Sequence, residues 1–299
     1  MDYQVKRVRS AEKGARISIA VYIVLAVSKI VVGFLLQSSS LSADGFNNFT
    51  DVVSSVTVLI GLKTARKPAD HNHPYGHWKA EPIASLITSF VMLFVGFQVF
   101  LTSLTRLISG DIVQPSQSAA IVAVTGAIVL FFLYRYNLKL ATKVNSSGLK
   151  AVSKDNLADS LTSLATAVAI LAASLGWIWL DSLMAIIVSL IILKTGLDVF
   201  KESTFSLSDG FKTKKLAVYE EAIQTIPDVK AVPSIKARMY GANTYVDVTI
   251  LVDGQMTVQE GHDITERIER KLYDEFDVLY TDVHVEPDNL KEQFNTQQM

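Results

Sequence analysis

Six stretches of this chain run apolar for about the length a helix needs to cross a lipid bilayer, and no other feature restricts the fold so severely. In hydrocarbon a backbone N–H or C=O finds no water, so each such stretch must satisfy its own polar groups, which a helix does. Five are clear: residues 15–36, 82–108, 118–140, 157–175 and 177–200. The sixth, residues 41–62, opens on "ADGFNNFTD" and so carries Asp44, Asn47 and Asp51 into an otherwise apolar run. Composition points the same way: 49% of the 299 residues are hydrophobic and 19% charged, where soluble domains carry roughly a quarter charged.

The cations mark the sidedness. Lys6, Arg7, Arg9, Lys13 and Arg16 precede or open the first span, Lys63, Arg66, Lys67 and Lys79 lie between the second and third, and Arg135, Lys139, Lys143, Lys150 and Lys154 lie between the fourth and fifth. The loops "QSSS", "SGDIVQPSQ" and "LGWIW" hold no Lys or Arg. The positive-inside rule then gives six spans in a cell membrane with both termini cytoplasmic. The polar, basic start lacks the short apolar core and small-residue exit of a signal peptide, so the first span is expected to be retained. A net charge of −1, with basic residues in loops, gives no nucleic-acid surface. The absence of cysteine removes disulfides and thiolate ligands, leaving oxygen and nitrogen donors for any metal.

Beyond residue 211 the pattern is that of a soluble domain. "KKLAVYEEAIQTI" has helical period, "SIKARMYG" and "NTYVDVTILVDG" alternate as a hairpin-like pair, "TVQEGHDITERIERKLYDEF" is an amphipathic helix with Thr257 as N-cap, and "VLYTDVHVEP" is a third strand. The expected organisation is a cytoplasmic N-terminal segment (1–14), an all-α six-helix transmembrane bundle (15–211), a cytoplasmic α+β domain of order α-β-β-α-β with helices on one face of a small sheet (212–288), and a disordered tail (289–299).

Two turn-spaced pairs carry the chemistry: Asn47 with Asp51, and Asp155 with Asp159 in "KDNLADSLTS". An i, i+4 spacing puts both members on one helix face about 6 Å apart along the axis, so two facing helices could offer four oxygen-bearing side chains to one ion. Each membrane-centred Asp costs roughly 2.5 to 3.5 kcal/mol on an insertion scale, and intramembrane carboxylates mark ion pathways. The blander reading makes Asp44 an N-cap and Asp155 a first-turn acid at the interface. Lys29 in the first span either partners Asp44 or snorkels. Counted from the loops, Asn47 falls near the outer end of its span and Asp155 near the cytoplasmic end of its own, a conflict that eases if the fifth helix starts well before Lys150 and its first turns line a water-filled inward cavity.

A second cluster, "PADHNHPYGHWKAE", puts Asp70, His71, His73 and His77 in one cytoplasmic loop, with spacing suited to wrapping a transition metal. The other two of the five histidines, His262 and His284, fall on a helix and a strand of the C-terminal domain.

The six spans, "SLSADGFNNFTD", the histidine loop, the pair in the fifth span and the trailing α+β domain together resemble the cation diffusion facilitator family, over nearly the whole chain. The resemblance implies a transport site of Asn47, Asp51, Asp155 and Asp159, a loop site of Asp70, His73 and His77, and a homodimer joined through the C-terminal domain, with Lys79 and Asp209 at positions of a charge interlock. His262, His284 and Glu286 match part of the family's C-terminal site, but Pro233 and Thr249 stand where zinc members often have His. Zinc members also usually have His at one or both positions taken here by Asn47 and Asp155. An all-oxygen site favours the harder Mn²⁺ over Zn²⁺, and the combination is similar to the family's manganese branch.

The expected function is Mn²⁺/H⁺ antiport out of the cytoplasm by alternating access, with no prosthetic group. Zn²⁺ or Fe²⁺ export is the alternative, with Co²⁺ or Cd²⁺ as further cargo. A membrane-anchored metal sensor, needing neither Asp51 nor Asp159, is a third reading. A metal hydrolase would need an H-E-x-x-H helix or a nucleophile motif, and the chain has neither.

Overall fold

The computed structural model describes residues 2–35, 39–109, 117–174, 177 and 179–290. Six long helices come first: α1 (Asp2–Leu35), α2 (Ser39–Ala65), α3 (Ala80–Ser109), α4 (Gln117–Val144), α5 (Ser147–Ser174) and α6 (Trp179–Leu207). They are followed by α7 (Thr213–Gln224), β1 (Ala231–Tyr240), β2 (Asn243–Val252), α8 (Val258–Phe276), β3 (Val278–Pro287) and a 3₁₀ turn (Asp288–Leu290). The chain divides into two compact units after Thr204.

In the first unit α1 packs on α2 and α4, α4 on α5, α2 on α3 and α5, and α3 on α5. Its burial is inverted relative to a soluble bundle. Phe34, Phe94, Ile108, Ile121 and Phe132 point outward and are more than two-thirds exposed, whereas Asn48, Ser55, Thr88, Asn137 and Asn156 are buried. That arrangement suits a hydrocarbon solvent, where packing of small residues and interhelical hydrogen bonds hold helices together. Gly61 makes room for α3: a Cβ there would meet Ala84 and lie 2.9 Å from the Ala80 carbonyl. Among the described residues, three helical stretches are long and apolar enough to span a membrane: Lys6–Val32, Ala80–Ser109 and Ala120–Val144.

The helices outrun the apolar segments that announce them. α1 begins at Asp2, so the segment expected as a separate N-terminal piece (1–14) is helical and continuous with the first span, with Val8, Ala11, Glu12 and Ala15 buried. Buried Glu12 accepts from Arg16 at 3.1 Å and lies 3.4 Å from Arg66, which continues past α2, so charge pairing carries the bundle beyond its apolar zone. α5 begins at Ser147 instead of 157, because Glu81, at the start of α3, accepts from the Ser146 hydroxyl and the Gly148 N–H at the α4–α5 turn and caps the new helix.

In the second unit the α-β-β-α-β order appears as expected. β1 and β2 form an antiparallel hairpin closed at Tyr240↔Asn243, with Gly241 at φ +60°, and β3 runs parallel to β2, so the sheet order is β1-β2-β3. α7 and α8 cover one face: Ile223, Ile264, Ile268 and Leu272 meet Val246, Val248 and Ile250 in a buried apolar core. Thr257 is the N-cap of α8, its hydroxyl accepting from the Glu260 N–H at 3.3 Å while the Glu260 carboxylate accepts from the Thr257 N–H at 2.8 Å. Lys230 ties the strand ends together through Asp288 (2.7 Å) and Asp253 (3.3 Å). Of the expected tail, residues 289 and 290 belong to the 3₁₀ turn and residues 291–299 lie outside the described residues.

Candidate metal centre

Among the described residues, carboxylate and imidazole donors converge in groups of three or more at two places. The first lies inside the helical bundle. Asp51 of α2 and Asp155 and Asp159 of α5 each offer an oxygen, and these atoms lie within 4.8 Å of one another. All three side chains are buried, at 5%, 6% and 8% exposure. Helix length makes the meeting possible. Asp51 sits at the middle of α2, and with α5 starting at Ser147 both of its acids fall two to three turns inside the helix, so the mismatch in depth expected from the apolar segments disappears. Asn47 lies one turn before Asp51 on α2, but its side chain, like that of Asp44, is outside the described ones.

Neighbouring polar groups hold two of the carboxylates. The Asn48 amide donates to Asp51 Oδ2 at 3.2 Å, and the hydroxyl of Tyr22, on α1, donates to Asp159 Oδ2. Asp155 Oδ2 is buried without a hydrogen-bond partner among the described residues, as is Asn48 Oδ1. A buried carboxylate oxygen left in that condition is costly, and a cation is a partner that would satisfy it. Tyr22, Asn48 and Asn156 escape a reading based on spacing. Asn48 and Asn137 could be singled out as amides inside apolar runs, but Asn156 precedes its run and a tyrosine in a span gives no such signal. Lys29 is fully buried on α1, its ammonium group passing over Gly126 of α4.

The second group is the loop cluster of Asp70, His73 and His77, whose donor atoms also lie within 4.8 Å. Asp70 Oδ1 accepts from the backbone N–H groups of His73 (2.8 Å) and Asn72 (3.0 Å), a turn that brings the two imidazoles together with ring centroids 4.1 Å apart. His73 Nδ1 lies 3.2 Å from Asp70 Oδ1, and His77 Nε2 lies 3.4 Å from Asp70 Oδ2. The N–H of His73, with help from its ring and from Asn72, holds the exposed Asp70 carboxyl below the usual aspartate range. His71 stays outside the cluster.

The C-terminal candidates stand apart. His262 on α8 faces Glu266 at 3.5 Å, and His284 on β3 faces Glu286 at 2.8 Å, and among the described residues they do not join in a group of three.

Comparison with known proteins follows the same division of the chain. The cation efflux transmembrane domain matches residues 15–208, and the cytoplasmic domain of cation efflux proteins matches residues 212–288. The chain is 43% identical to the manganese efflux system protein MneS of Bacillus subtilis over 93% of its own length and 96% of that protein's. It is 40% identical to the uncharacterized transporter YdbO of the same organism, over 96% and 99% of the two lengths. It is 30% identical to the manganese efflux system protein MneP, again of Bacillus subtilis, over 94% and 98%.

Proposed function

The chain belongs to the cation efflux family of multi-pass membrane transporters for divalent cations, a family of carriers and not of enzymes, and from that premise we propose that it exports Mn²⁺ from the cytoplasm in exchange for protons. The observation that carries this reading is the buried meeting of Asp51, Asp155 and Asp159. In the proposed site Asn47 adds an amide oxygen, so every donor is hard and no imidazole is present. Such a set suits Mn²⁺ and gives up the nitrogen donors on which Zn²⁺, Ni²⁺ and Cu²⁺ gain most. Two of the similar proteins are themselves manganese efflux proteins by name, which supports the same cargo.

The coupling to protons follows from crowding. Three carboxylates this close repel one another in a low-dielectric interior, so an arriving dication displaces protons from them, and its release to the outer side lets protons return. Alternating access of the bundle would turn that exchange into uphill transport without ATP. Asp70, His73 and His77 are the proposed second ion site, on the cytoplasmic loop, and the C-terminal domain is the proposed dimer contact.

The test is Mn²⁺ uptake by proteoliposomes of the purified protein under an imposed pH gradient, set beside Zn²⁺ uptake and the Asp51→Ala variant. Mn²⁺ uptake that needs both the gradient and Asp51 is the expected result. Normal uptake by the variant would remove the carboxylate cluster from the mechanism, and preference for Zn²⁺ would overturn the selectivity argument.

A further inference from the structure

Behind the carboxylate cluster lies a buried chain of polar side chains that the transport reading does not use. Ser18 and Tyr22 of α1, Asn137 of α4 and Asn156 of α5 are all completely inaccessible to solvent. Asn137 Nδ2 donates to Ser18 Oγ at 2.7 Å and to Asn156 Oδ1 at 2.9 Å. With its oxygen so occupied, Asn156 turns Nδ2 to the Tyr22 hydroxyl oxygen at 2.9 Å. A phenol has one hydrogen to give, and the amide now occupies its acceptor side, so that hydrogen goes to Asp159 Oδ2. Each link orients the next, and chains of this kind strengthen their members by mutual polarisation. Gly14 leaves the space in which Asn137 sits, since a Cβ there would come 2.9 Å from Asn137 Oδ1.

The consequence for the ion lies in how each carboxylate is presented. Asp155 has an oxygen with no hydrogen-bond partner among the described residues, whereas one oxygen of Asp159 is held by the tyrosine. We propose that Tyr22 is a positioning residue of the transport site: its hydroxyl, aimed by Asn156 and Asn137, fixes the rotation of Asp159 so that this carboxylate meets the cation through one oxygen. The proposal rests on the reading of Asp51, Asp155 and Asp159 as the site of the cargo ion. Outer partners that orient a metal-binding carboxylate are generally worth roughly 10- to 100-fold in metal affinity, because an untethered ligand must be ordered each time the ion binds.

The experiment measures initial Mn²⁺ uptake against Mn²⁺ concentration in proteoliposomes of the full chain, for the parent, Tyr22→Phe, Asn156→Ala, the double variant and Asp51→Ala. Equilibrium Mn²⁺ binding to each detergent-purified protein accompanies it. Tyr22→Phe keeps the ring and loses only the hydroxyl, so the expected result is a KM and a binding constant weaker by about 10-fold or more with Vmax within about twofold. Asn156→Ala should move KM in the same direction, and the double variant should be no worse than Tyr22→Phe, because the two act as one chain. A purely structural tyrosine would instead lower Vmax or yield at constant KM, and that result, or no change at all, overturns the proposal while an inactive Asp51→Ala leaves the site reading standing. Full transport by Asp51→Ala would mean that the site reading itself is wrong. Should Tyr22→Phe not reach the folded state, an unchanged KM and Mn²⁺ affinity in Asn156→Ala would overturn the proposal alone.

Discussion

Replacing Asp155 by asparagine removes one charge from the buried cluster at almost constant volume, and the geometry says how much that charge matters. The ligand oxygens of Asp51, Asp155 and Asp159 lie within 4.8 Å of one another. At an effective dielectric constant of about 20, two unit charges at that separation repel by about 3.5 kcal/mol, so three ionised carboxylates carry about 10 kcal/mol of mutual repulsion. Neutralising Asp155 removes two of the three pairs, about 7 kcal/mol, equivalent to about five powers of ten in an equilibrium constant. On the proposed reading the parent cluster shares protons that a dication displaces, whereas the two remaining acids of Asp155→Asn can coexist as anions far more readily. Mn²⁺ affinity of the purified protein, measured by titration calorimetry between about pH 6 and pH 8, reports this difference. The parent should gain affinity steeply with pH, and Asp155→Asn should bind more weakly and with a slope smaller by about one proton per ion. An unchanged slope would refute the argument that crowding of these carboxylates couples the ion to protons.

Three further outcomes are expected. Asn47→His, which introduces a nitrogen donor into the proposed site, should raise Zn²⁺ transport relative to Mn²⁺ in proteoliposomes, and an unchanged ratio would contradict the assignment of that position. In the loop, Asp70 is held below the usual aspartate range by the His73 N–H, so its contribution is complete above the ordinary aspartate pKa of about 3.9 and is lost as pH falls through its lower folded value. Asp70→Asn should mimic that loss at neutral pH, and hydrogen exchange at Asn72 and His73 should accelerate. Leu272 is fully buried in the core of the C-terminal unit. Leu272→Ala should destabilise that unit by about 2 to 5 kcal/mol, read as a lowered midpoint of its denaturant transition, and a midpoint within error of the parent's would show that α8 does not hold the sheet as described.

Features encoded by spacing along the chain are legible before any folding is considered. Apolar runs of bilayer length mark α1 to α6, alternation marks β1 to β3, and Thr257 with Glu260 announces the capping box that starts α8. The turn-spaced acids of α5 and the Asp70, His73 and His77 loop are legible in the same way, because a helical turn and a tight loop are local geometries. Tertiary structure decided the rest. Apolarity reports only where a helix is wet by lipid, so it missed the extension of α1 back to Asp2 and of α5 back to Ser147, which rest on Glu12 with Arg66 and on Glu81 with Ser146. That extension is what sets Asp51 level with Asp155 and Asp159. Nothing in the spacing brings Tyr22 to Asp159, 137 positions away, or Asn137 to Ser18, 119 away. Those contacts depend on which face of α1 turns toward α4 and α5, a choice made by the packing of whole helices and not by any stretch short enough to carry its own period.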